Sequence, residues 1–121
     1  MRREELYLTD IVQAAESIQR FLAGVEREIF LQDDLLQSAV LQKLTIIGQA
    51  VAHLPMEFRD RHPEMEWDDI IGFRNIAVHA YFDVEWPIVW VAATQDAPEL
   101  RSKIAKILTK EYPEVPIPDV E

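Results

Sequence analysis

The chain has no cysteine among its 121 residues, so disulfides, thiolate zinc sites and cysteine nucleophiles are excluded and a reducing compartment is allowed. The opening MRREELYLTD has two arginines but no apolar run after them, which does not read as a secretory signal, and no stretch nears the ~20 apolar residues of a membrane span. A soluble, cytoplasmic protein with no membrane partner is the expectation. There is no internal repeat and no β alternation, and no two histidines sit at ligand spacing on one face, so no metal site and no cofactor is expected. Positive charge is also scarce. With 22 acidic against 12 basic residues the formal net charge is −10, which repels nucleic acid over most of the surface and leaves only a local basic pocket as a route to phosphate.

What is present is helical periodicity on a length that suits one domain. Leu8, Ile11, Ala15, Ile18, Leu22 and Val25 recur at three- and four-residue steps, which predicts one long amphipathic helix from about residue 5 to 29. A second stripe runs Leu36, Val40, Leu44, Ile47, Val51, Leu54, with Asp33 or Asp34 to cap its start and Pro55 to end it. Residues 55–66 carry two prolines and mixed charge, a connection with room for one short helical turn. His53 and His62, at the edges of that connection, are expected at the surface.

A third helix is predicted from Trp67, with Asp68 and Asp69 in its first turn, to about Tyr81. Asp83 can cap a fourth through Thr94, in which Trp86 and Trp90 share one face as core or interface residues. Asp96-Ala97-Pro98-Glu99 reads as a capping box opening a last helix to about Lys110. Residues 1–110 therefore form the helical domain. Residues 111–121, with three prolines, form an extended tail. The fold class is all-α, an up-and-down bundle of four to five helices.

The third helix holds the polar groups that could do chemistry. At ~100° per residue, Ile70, Phe73, Ile76, Ala77 and Ala80 gather on one side, Arg74 and Tyr81 lie within ~20° of each other on one edge, and Asn75 and His79 occupy the opposite edge. Ile71 and Val78 make the arc between those edges apolar, a surface another subunit would cover. Arg74 and His79 are ~140° apart, so one copy has difficulty aiming both at one phosphate, whereas a two-fold axis near this helix would bring two copies of each together. Arg74 offers a fixed positive fork for phosphate oxygens, and His79 can move a proton near neutral pH. Asn75, one turn before His79, could hold its ring or a phosphate oxygen. These are the groups that metal-free RNA cleavage needs, although the same three side chains on a helix also occur as a structural network.

Arg74, four residues, His79, one residue, Tyr81 resembles the R-x4-H-x-Y signature of HepT-like ribonuclease toxins in the HEPN superfamily. LTDIVQAAESIQRFL is similar to that family's opening helix, AVLQKLTIIGQAVAHLP to its second, and WDDIIGFRNIAVHAYFDVEWPIVW to its signature helix, so the resemblance spans roughly residues 6–108. It departs at Gln49, where glutamate is common, and at Ala80, where an acidic residue often precedes the tyrosine. The resemblance implies a HEPN-like homodimer whose paired Arg74 and His79 residues, supported by Asn75, cleave RNA without metal at a composite cleft, as the toxin of a type VII-like toxin–antitoxin pair. It also implies a partner, a minimal nucleotidyltransferase antitoxin that uses ATP to AMPylate Tyr81 and so blocks the site. The alternative is a non-catalytic substrate-binding or regulatory subunit of that nucleotidyltransferase.

Overall fold

The computed structural model describes residues 3–79 and 84–116, with residues 74–79 by backbone alone. Helix α1 (Glu4–Phe21) starts with Glu4 and Glu5 and ends with Arg20, charges that complement the helix dipole at each end. It stops earlier than the apolar spacing predicts, because the chain turns at Gly24, whose φ of 73° is left-handed and costs glycine nothing. A single helical turn follows, α2 (Arg27–Phe30), and inserts Phe30 fully into the core.

Asp33 caps α3 (Asp34–His53), accepting a hydrogen bond from the Leu36 amide at 3.1 Å, and the helix ends before Pro55 as expected. Gln37 is buried because its amide has work inside: Nε2 donates to the Phe30 carbonyl at 3.0 Å and ties α2 to α3. By length and composition α3 could cross a membrane, a property that the apolar run length alone does not suggest. In the bundle its Val40, Leu44, Ile47 and Val51 are fully buried against neighbouring helices.

The connection that follows holds more than one loose turn. Helix α4 (Met56–Arg61) buries Phe58, which meets the Trp67 ring at 6.0 Å, and Trp67 Nε1 donates to the carbonyls of Arg59 and His62. Trp67 opens α5 (Trp67–His79), with Asp68 and Asp69 in the first turn. His62 is not the surface residue expected. Its ring lies 4.8 Å from Phe58, its side chain is only 13% exposed, and Nε2 stands 2.7 Å from Glu111 Oε2 without the alignment of a hydrogen bond. His53 does sit at the surface, stacked on Tyr7.

Helix α6 (Trp86–Val91), a π-helical turn (Ala92–Asp96) and α7 (Ala97–Glu111) form one continuous helical rod where two capped helices were expected. Asp96 has helical angles and caps nothing. Inside the widened turn the Thr94 hydroxyl donates to the Trp90 carbonyl at 2.7 Å, taking up an acceptor of the helix ladder. Trp86 and Trp90 both lie against Phe30, so the tryptophan face is a packing face.

The described helices form an all-α bundle in which α1 packs between α3 and α7, and α3 also carries α5. At one end, Arg61 reaches both Glu4 (3.2 Å) and Glu111 (3.1 Å), and the Tyr112 hydroxyl donates to Glu4. Tyr112 and Val115 pack partly against the core, and residues 113–115 turn instead of running extended.

Candidate active-site helix

Arg74, Asn75 and His79 all lie on α5, as the spacing predicts. Tyr81, and the side chains of the other three, lie outside the described residues. Because α5 is helical through His79, the five-residue step from Arg74 to His79 separates their Cα atoms by about 140° around the helix and roughly 7.5 Å along it. Arg74 and Asn75, as neighbours, stand about 100° apart.

The turns before Arg74 show how the helix is held. Trp67 and Ile70 are buried, while Phe73 is half-buried against the core. Ile71, assigned from the helical wheel to an outward arc awaiting another subunit, is half-buried and packs against the core of its own chain. It therefore offers less free apolar surface than the wheel alone implies, because α3 covers a broad sector of α5.

Beside the first half of α5 runs a cleft of about 150 Å³, lined by Asp69, Ile70 and Phe73 on one wall and Asp96, Glu99 and Lys103 on the other. The Asp96 carboxyl is pushed above its usual range, first by burial and then by the charge of Glu99. Several carboxylates around one lysine repel phosphate, so this cleft is not where a polyanion enters. Nothing in the sequence periodicity points to it; the approach of α5 to the start of α7 creates it.

With the helix order and this geometry in hand, relatives become informative. Residues 11–107 match the model of a family described as ribonuclease HepT-like. That span takes in all of α5 and most of the bundle. The chain belongs to the ribonuclease HepT-like family. Relatives of this HepT-like chain include a protein of Caldanaerobacter subterraneus subsp. tengcongensis named "Putative RNase", 37% identical over 92% of this chain and 99% of its own length. Another is the "Probable ribonuclease HepT" of Thermococcus cleftensis, 37% identical over 88% of this chain and 96% of its own. No solved structure matches the chain.

In a HepT-like protein the polar residues of α5 acquire a meaning that spacing alone left open. A family of ribonucleases supports an RNase function, and α5 is the helix that places an arginine, an asparagine and a histidine within two turns of one another.

Proposed function

We propose that this chain is a metal-independent endoribonuclease, the toxin of a toxin–antitoxin pair, acting as a homodimer whose two α5 helices form one composite cleft. Family membership is the observation that carries this reading, and the helical placement of Arg74, Asn75 and His79 supports it. The reaction needs no outside nucleophile. The RNA 2′-hydroxyl loses its proton to one His79, its oxygen attacks the adjacent phosphorus, and the bond to the 5′-oxygen breaks as that oxygen takes a proton from the other His79. A cyclic phosphate and a free 5′-hydroxyl result. Arg74 neutralises the charge that grows on the non-bridging oxygens, and Asn75 holds either the imidazole or one of those oxygens.

The wide angular separation of Arg74 and His79 on one helix is why a second copy enters the proposal. Neutralisation follows the same logic. A minimal nucleotidyltransferase antitoxin transfers AMP from ATP to Tyr81: the phenolic oxygen attacks the α-phosphorus, pyrophosphate leaves, and a new negative charge is set on a tyrosine close after Arg74 and His79 in the chain.

The net charge of −10 favours a second reading, a non-catalytic regulatory subunit of the nucleotidyltransferase. Cleavage of mixed cellular RNA by the purified, unmodified protein in excess EDTA separates the two. Cutting by the wild type with loss of at least about a hundredfold in His79→Ala, whose circular dichroism is unchanged, is the expected result. No cutting by either protein would support the regulatory reading.

A further inference from the structure

In a chain so rich in carboxylates, cations without a carboxylate partner are informative. Arg3 and Arg61 are in ion pairs, and Lys103 is paired with Glu99. Six cations, Arg20, Arg27, Lys43, Arg59, Lys106 and Lys110, have no ion-pair partner among the described residues. Four of the six, Arg20, Lys43, Lys106 and Lys110, line two adjoining depressions. Arg20 and Lys43 border a trough of about 500 Å³ whose floor is the outer side of α1, including Gln13 and Ser17. Lys106 and Lys110 line an open groove of about 390 Å³ along α7.

The two depressions are joined by an ion pair. Arg101, on the wall of the α7 groove, gives Nε and Nη2 to Glu16 Oε2 at 3.1 and 2.9 Å, and Glu16 lines the α1 trough. Glu16 is thereby neutralised, and Asp10 is the other carboxylate lining the trough that Arg20 and Lys43 border. Arg101 to Lys110 spans nine residues of α7, roughly 14 Å along the axis. A row of unneutralised cations fits a ligand with charges repeated along a chain.

We propose that this face of α1, α3 and α7 is a track for the phosphate backbone of single-stranded RNA, holding the strand outside the cleavage cleft. The proposal rests on the ribonuclease reading for the identity of the polyanion. It answers the difficulty that the net charge poses, because an acidic protein holds RNA through a path where its carboxylates are already paired or absent.

The test is the salt dependence of binding of a fluorescent 20-nucleotide RNA to His79→Ala, which cannot cut it, beside the same protein carrying K43Q, K106Q and K110Q. Each phosphate left without its lysine lowers the slope of log affinity against log salt by about 0.7, so the triple variant should bind about tenfold more weakly with a slope smaller by about 2. If the triple variant does not fold, the single variants K106Q and K110Q, each expected to lower the slope by about 0.7, are read in its place. An unchanged slope overturns the track. So does unchanged RNA binding with weaker affinity for the nucleotidyltransferase, which would assign the face to a protein. Wild-type cleavage in EDTA reports separately on the ribonuclease: cutting together with an unchanged slope rejects the track alone, and a reduced slope without cutting rejects the nuclease reading alone.

Discussion

Helices α1 and α5 are both amphipathic segments of one small bundle, yet they are held very differently. From Ile11 to Ile18 every residue of α1 except Gln13 is buried, with α3 and α7 both packed against the helix. In the described first half of α5 only Trp67 and Ile70 are buried, and α3 is its principal neighbour. Burial is worth about 25 cal/mol per Å² of apolar surface, so the middle of α1 contributes more than the described first half of α5. The candidate catalytic groups follow that less buried first half of α5 along the chain. Local opening should be easier there, since amide protection follows buried contacts, and a site built on two copies needs a helix that can adjust to its partner.

How thinly α5 is held can be tested most strongly by equal truncations on α5 and on α3, the helix packed against both α1 and α5. Ile47 is fully buried and Ile70 is 8% exposed. Ile47→Ala should cost about 4 kcal/mol and Ile70→Ala about 2 kcal/mol, measured by urea unfolding, because a flank site relaxes around the missing atoms more readily than a central one. Activity should rank the other way. Ile70 lies one turn before Arg74, so without denaturant, at a temperature where both variants are folded, Ile70→Ala should have the lower RNA cleavage rate. Equal stability losses, or a larger fall in activity at Ile47, would show that α5 is held as firmly as α3, the helix packed against both α1 and α5.

Much of this arrangement can be read from the residues. Asp33 before an apolar stripe, Asp68 and Asp69 behind Trp67, and Trp86 one turn from Trp90 each name a local cause that the fold uses. The failures also have local causes. Apolar spacing continues through Leu22 and Val25 beyond the end of α1, and periodicity does not register a single left-handed glycine. Asp96-Ala97-Pro98-Glu99 has the composition of a capping box, but the buried alanines 92, 93 and 97 keep the rod continuous and leave the cap unused. His62 is polar in a charged stretch, and Phe58 together with Glu111, returning from the far end of the chain, covers it. For the site, sequence places Arg74, Asn75 and His79 on one helix. Ile71 departs from its expected place because a helical wheel shows the direction of a residue and not how far a neighbouring helix wraps around it.

Gly24 sharpens the comparison at the end of the well-supported helix. Its φ of 73° is strained for a side chain, while a Cβ there would meet no atom within 4 Å, so any cost is backbone strain alone. Gly24→Ala should destabilise by about 1 kcal/mol, with Asn milder and Val worse. The expected change is in global unfolding with no effect on cleavage, since the turn follows α1 and lies far along the chain from α5. A neutral Val variant would mean that the turn relaxes freely and that the stop of α1 is not set by this glycine.

The smallest effect expected concerns charge at the boundary between the two regions. On the α1 side the buried carboxylate Glu16 has Arg101 against it, whereas Asp96 lies beside Glu99 across from α5 with no ion pair of its own among the described residues. Its carboxyl pKa is raised, by burial first and by Glu99 second, so the folded chain binds that proton more tightly than the unfolded chain. This group therefore favours folding below the ordinary aspartate value of 3.8, and that contribution is lost as pH rises through the folded pKa. Asp96→Asn, which removes no helix cap, should stabilise the protein at pH 7 by roughly a few tenths of a kcal/mol, a size limited by solvent screening of an exposed group. In urea titrations the gain should vanish near pH 3.8, the ordinary aspartate value, and below. A gain of the same size at both pH values would place its origin in helix propensity, and a loss at pH 7 would mean that the charge of Asp96 supports the junction of α5 and α7.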